Sequence, residues 1–445
     1  MLGNRSPRAL TALVAALALL AAGCGGGSSK PAAGGRSGGG NAPAPGVTAI
    51  TVTIGSHQPL TGPAAPGYSE IAPAAKAYFD YVNANGGIYG RQIVYKYLDD
   101  AYNPTTTNTV VRQLVLNDQV FALFNGLGTP THTKVVDYLN SEKVPDLFVA
   151  SGCQCWDQPS KHPYTFGFQT DYVREGKILG QYLEQKFPDK KFAYFYQNDD
   201  FGKDGVAGLD KYIPAGSVAA RQSYEPGNTD ISAQLTAIAQ SKADVVVLFT
   251  IPAYTALFRL GMLKANYNPQ LAVSNVGSDP TTLTGLLESF AKQSGATVQG
   301  SPLIQGIITD AYLPPPGGST PDSWVTLFQK VHDKYIPTLP FDGNVEYGMA
   351  AAYTFTQVLK AAGQNPTRAA LVKAVEAGGY SGPGLVPFAF SGASHAGYTG
   401  AQVGVVTGNT IALSGKPLTT DDGAGAINAY LAPQPTAPDN GIPTG

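Results

Sequence analysis

The sequence predicts an α/β protein of two lobes, each built on a parallel central sheet covered by helices. Three observations carry this. Strand-like and helix-like segments alternate through roughly residues 48–413, the pattern of β-α units that build parallel sheets. Val120–Phe124 is an unbroken apolar run, as in a strand buried on both faces. The alternation then restarts at Lys191, and about 366 residues exceed what one core comfortably holds.

In the first half, Ile50–Ile54 reads as a strand, followed by Ala74, Tyr78, Tyr81 and Val82 at helical spacing. Gln92–Leu98 is strand-like. Val110, Val111, Leu114 and Val115 mark a second helix, and Val135, Val136 and Leu139 a third, ahead of a strand at Asp146–Ala150. In the second half, Lys191–Tyr196 and the β-branched Ala243–Phe249 read as strands. Between them Asp230 stands where a helix cap belongs, before Ile231, Leu235 and Ile238. A strand at Ile304–Thr309 precedes the break Pro314-Pro315-Pro316-Gly317-Gly318; helices follow at Asp322–Tyr335 and Val345–Ala361, and a last strand at Gln402–Val406.

Both ends differ in composition from this body. Arg5 and Arg8 precede an uncharged run from Ala9 to Ala22 and then Gly23-Cys24, the layout of a secretory signal; the run is too short to span a membrane. Leu20-Ala21-Ala22-Gly23-Cys24 resembles a bacterial lipobox, although Ala21 stands where leucine is more usual. The reading is a lipoprotein signal over residues 1–23, lipidation at Cys24, and a Gly/Ser/Pro-rich tether over 24–47 too poor in apolar groups to fold. Residues 414–445 form a Pro/Gly-rich C-terminal tail read in the same way, with local docking open to Ile427–Leu431.

Composition excludes some functions. The precursor has a formal charge of −2; without Arg5 and Arg8 it has 27 basic against 31 acidic residues, a formal −4. No basic stripe of the kind nucleic acid requires is present. With Cys24 taken by lipid, Cys153 and Cys155 remain, either as a disulfide across one residue or as two thiols. No metal-ligand spacing joins them to histidine, so no metal and no cofactor are expected. HExxH, a phosphate-binding lysine loop and Gly-x-Ser-x-Gly are all missing; Gly392-Ala393-Ser394-His395-Ala396 lacks the second glycine. No catalytic residues are assigned.

Ligands of open α/β sheets sit beyond the carboxyl ends of strands, against helix N-termini. The loops there are Gly55–Pro63, Asn125–Thr131 and Ser151–Trp156. The second nearly matches Gly-x-Gly-x-x-Gly, but Thr131 replaces the last glycine. Its better use is a small anion site at Thr129, against the alternative of a plain helix cap. His57 and His132 read as hydrogen-bonding groups near this edge, and Asp99-Asp100 and Asp199-Asp200 as loop or lobe-contact residues.

Four segments carry a resemblance: Gln58-Pro59-Leu60-Thr61-Gly62-Pro63, Asn83–Arg91 with its Gly-Gly-Ile-x-Gly-Arg turn, Asp99-Asp100-Ala101-Tyr102-Asn103-Pro104, and Asn198–Gly205. In this order they resemble the type I periplasmic solute-binding proteins of the leucine/isoleucine/valine-binding kind, over about residues 48–412. The resemblance implies two Rossmann-like lobes joined by three crossovers, here 48–169 with 310–400 and 170–309 with 401–413, closing on a solute that an ABC permease imports. It implies that Thr129 holds a solute carboxylate and that the Ala150 carbonyl accepts from an ammonium. Gly152 falls where a threonine is usual, and Ser274 or Asn275 where an acid is expected. Phe201 falls where tyrosine is common, and Tyr68 and Tyr347 are candidate aromatic walls. The family's first-lobe disulfide is missing, because Tyr102 replaces one cysteine.

An ammonium buried without an anion costs several kcal/mol. The reading therefore favours a solute with a carboxylate or polar head and no free amine, or an amide-like or aromatic one, with Trp156 either against a flat portion or over the hinge. The predicted function is a monomeric, lipid-anchored, extracytoplasmic binding protein for an amino acid or related small organic acid or amide. A sensor that signals to a membrane partner and a secreted hydrolase are the alternatives.

Overall fold

A computed structural model describes residues 44–318 and 322–443. The signal segment, Cys24 and the tether up to residue 43 lie outside the described residues.

The first sheet is wholly parallel. Its order is β2 (Gln92–Asp99), β1 (Thr51–Gln58), β3 (Leu123–Phe124), β4 (Asp146–Val149) and β5 (Thr165–Gly167). Its centre is apolar on both faces: Phe124, Leu147, Val149 and Phe166 have no exposure, which is why these segments read as continuous apolar runs. Helices Ile71–Ala84, Ser323–Tyr335 and Gly343–Ala361 pack together in this lobe.

The second sheet is mixed. β7 (Val218–Tyr224), β6 (Phe192–Gln197), β8 (Val245–Phe249), β9 (Gln270–Val273) and β10 (Ile308–Ala311) run parallel in that order. Antiparallel to β10 lies β11 (Gly400–Thr407), which pairs with β12 (Thr410–Leu413) and β13 (Leu418–Thr419); β14 (Asn428–Ala429) closes the edge. The chain thus passes between lobes after β5, after β10 and before β11, the three crossovers of the fold. Among the described residues, no helix is long and apolar enough to cross a membrane.

Three sequence expectations need correction. The strand placed at Ile304–Thr309 begins later: Gly300–Ile304 is a helical turn, Gly306 turns with φ 80°, and the strand occupies Ile308–Ala311. Asp310, assigned to the first lobe, is therefore inside the second sheet, opposite Val403. The end of the tether belongs to the body: Val47 bridges Val52, and the Gly46 carbonyl accepts from Thr53 N.

The third correction is the C-terminal tail, which is pinned to both lobes rather than free. Lys177, 1% exposed, donates to the Asp421 carboxylate and carbonyl and to the Gly425 carbonyl. Further on, the hydroxyls of Tyr78 and Tyr81, the Trp324 indole N–H and the Lys360 ammonium donate to the carbonyls of Gly441, Asn440, Pro435 and Pro443. A segment too polar to form a core is held because its backbone carbonyls satisfy side chains that the lobes would otherwise leave unpaired.

Candidate functional site

Strand carboxyl ends and helix N-termini of both lobes converge on one cavity of about 230 Å³. Several of the helices begin at acidic caps. Asp199 accepts from Phe201 N, Asp279 from Thr282 N, and Asp342 from Asn344 N and Val345 N. Such caps satisfy the free amides of a first turn and fix where each helix starts. The lobes meet across the cleft. The Tyr68 hydroxyl donates to the Val276 carbonyl, Gly343 N to Asp279 (3.1 Å) and Asn344 Nδ2 to Thr282 Oγ1 (3.1 Å).

Thr129, 2% exposed, opens the short helix Thr129–His132, and its hydroxyl pairs with that of Ser151 at 2.7 Å. Both lie against the Tyr172 hydroxyl. Tyr68, Thr129, Ala150, Phe201, Asn275 and Tyr347 all line the cavity. The Ala150 carbonyl is already engaged, accepting from Gly128 N at 3.1 Å. Tyr347 is held by Asn125 Nδ2 at 2.8 Å.

Gly152 does not line the cavity. A Cβ there would stand 2.6 Å from the Thr170 carbonyl and 2.9 Å from the Tyr172 ring. Tyr172, whose amide donates to the Gly152 carbonyl at 2.7 Å, fills the space a threonine would need. It stacks obliquely on Phe201, with ring centroids 4.6 Å apart. Tyrosine from the second lobe thus takes the position expected of a first-lobe side chain.

The missing acid is present elsewhere. Asn275 N donates to Glu175 at 2.8 Å, and Asn275 Nδ2 contacts Asp310 at 3.4 Å. Asp310 lines the cavity. Burial pushes the Glu175 carboxyl well up, aided by the nearby Asp310, and burial pushes that of Asp310 to about 6. Two neighbouring buried carboxyls oppose each other's ionisation, so one loses its proton more readily than the other. Asp310 supplies the acid that the positions of Ser274 and Asn275 lack, so an amine-bearing solute does not enter a cavity without an acid. Asp310 lies inside the strand Ile308–Ala311; placing that strand four residues early left it as a residue of the following loop. Asp279 and Glu346 also line the cavity; among the described residues no lysine, arginine or histidine does.

Beneath the loops runs a fully buried chain. His57 Nδ1 meets Asp100 at 2.7 Å, His57 Nε2 meets His132 Nδ1 at 2.8 Å, and His132 Nε2 meets Asp146 at 2.7 Å. Burial lowers the pKa of His57 against the opposing pull of Asp100. These groups fix the loop that carries Thr129 and do not face the cavity. Beside them Cys153 and Cys155 are joined as a disulfide, and Trp156, 1% exposed, packs its ring edge-on to His132.

A two-lobed α/β trap with its site between the lobes defines a class. Residues 51–410 match the periplasmic binding protein family, and the chain belongs to it. It is 26% identical over 203 residues to Leu/Ile/Val-binding protein homolog 3 of Brucella melitensis, covering 44% of this chain and 53% of that protein; the chain spans about half the length of the curated relatives it first matches. Among solved structures, a fatty acid ABC transporter substrate-binding protein from Thermomonospora curvata superposes with a TM-score of 0.73 at 21% identity, covering 86% of this chain and 95% of that one. A branched-chain amino acid ABC transporter protein from Thermus thermophilus with bound valine gives 0.71 at 17%, covering 84% and 98%.

Proposed function

We propose that this chain is a lipid-anchored, extracytoplasmic solute-binding protein that captures an amino acid or closely related amine-bearing solute and delivers it to an ABC permease. One observation carries the reading: Thr129 from the first lobe and Asp310 from the second border the same cavity, with the Glu175 carboxyl close to Asp310. A solute carboxylate meets the Thr129 hydroxyl, itself held by Ser151, and the amides of a helix start, which favour negative charge. Its ammonium meets the Asp310 carboxyl. Both ends are engaged only when the lobes are together, so the solute stabilises the closed form. Lipidation at Cys24 keeps the trap near its permease.

The relatives named as binding leucine, isoleucine and valine support an amino acid, and the acid-lined cavity weighs against a purely anionic solute. Native mass spectrometry of the purified chain, followed by thermal-shift screening of amino acids, tests the proposal. Thr129→Val removes a hydrogen bond to a charged group, worth about 1.5–3 kcal/mol, so affinity for the retained solute falls about tenfold or more. An unchanged affinity contradicts the carboxylate assignment. If no small amine-bearing solute binds, the proposal fails as a whole.

A further inference from the structure

Glu346 is not accounted for by the site as described. It is 2% exposed and lines the cavity, yet its Oε1 has no hydrogen-bond partner. Other acids beside the cavity have clear structural work. Asp279 and Asp342 cap helices, Glu175 accepts from Asn275 N, and Asp310 from Asn275 Nδ2. Glu346 caps nothing. The charged groups facing it are Asp322, from the start of helix Ser323–Tyr335, and Asp342, both of its own sign; the phenol facing it is Tyr398. Burial and these two acids together hold its carboxyl well above the ordinary range. A buried carboxyl with an unpartnered oxygen, acidic neighbours and a wall on a ligand cavity lacks a cation.

We propose that Glu346 is a specificity-determining residue that receives a second cationic group of the solute, which makes the solute an amino acid with a basic side chain. The inference rests on the reading above, in which Thr129 and Asp310 hold the solute's carboxylate and α-ammonium. Glu346 is on the first lobe, on the helix Gly343–Ala361, and Asp310 is on the second. The two acidic groups therefore belong to opposite walls. Tyr312 and Tyr347, also lining the cavity, offer the apolar ring surface along which an aliphatic stem lies. A neutral side chain of the same length leaves Glu346 without a partner and gains nothing from it.

The test is calorimetric titration of the purified chain with lysine, ornithine and norleucine, repeated with Glu346→Gln. Lysine or ornithine is expected to bind at least tenfold more tightly than norleucine, and Glu346→Gln to remove most of that preference. Binding of the basic solute by the wild type also releases a proton from Glu346, seen as a buffer-dependent heat that the variant lacks. Norleucine binding as tightly as lysine overturns the inference but leaves the amino-acid reading intact, and needs no variant to establish. A lysine preference that survives in Glu346→Gln also overturns it. Failure of every amine-bearing solute to bind overturns both.

Discussion

Asp342 shows how a single residue here serves structure at an electrostatic cost. Its carboxylate caps the helix Gly343–Ala361 through Asn344 N and Val345 N, both at 3.0 Å. Burial, and then Asp279 and Glu70, push its pKa to about 8. A carboxyl whose pKa is raised on folding binds its proton more tightly in the folded state. Its contribution is complete below the unfolded value of about 3.9 and is lost as pH rises towards about 8. Asparagine caps helices about as well as aspartate and does not titrate. Asp342→Asn should therefore gain on the wild type between pH 5 and pH 8, by about 2 °C or more in melting temperature. A melting difference that stays flat across that range contradicts the assignment.

Residues also mark where the sequence was readable. Thr129 was legible because a hydroxyl after a strand and Gly-containing loop stands at a helix start, as an anion site or a plain cap, and it does line the cavity. Asp310 was not, because Pro302-Leu303-Ile304 has the apolar character of a strand start while forming a helical turn. Tyr172 was invisible for another reason. It occupies the space left by Gly152, a relation between two lobes that no local pattern carries.

Among elements, parallel strands such as Val245–Phe249 declared themselves through β-branched, fully buried runs. Val120–Phe124 is as buried, yet only Leu123–Phe124 forms a strand. Helix contacts are a separate matter. Gly348 lies within Gly343–Ala361, where alanine would ordinarily gain about 0.5–1 kcal/mol. Here a Cβ would stand 2.3 Å from the Ile71 carbonyl and 3.0 Å from Ala74 Cβ. The close crossing with helix Ile71–Ala84 depends on the missing side chain. Gly348→Ala should reverse the usual sign and destabilise by about 1–3 kcal/mol, read from urea unfolding. Stabilisation would show that the two helices are not held at this distance.

In the whole molecule, the two lobes are bridged by side chains at the cleft and again by the C-terminal segment, which runs from Lys177 in one lobe to Tyr78, Tyr81 and Lys360 in the other. Composition made that segment look like a spacer; its backbone carbonyls, which composition does not describe, make it part of the body. The lobes frame a cavity with the Thr129 hydroxyl on one wall and Asp310 on the other, and the proposed recognition of a carboxylate and an ammonium together rests on that opposition. The most direct measurement compares, by calorimetry, the amino acid that binds most tightly with its deaminated analogue. The amino acid should bind at least tenfold more tightly, about 1.4 kcal/mol, and Asp310→Asn should narrow the gap. Equal binding of the two, or a preference for the deaminated acid, would contradict an ammonium site at Asp310.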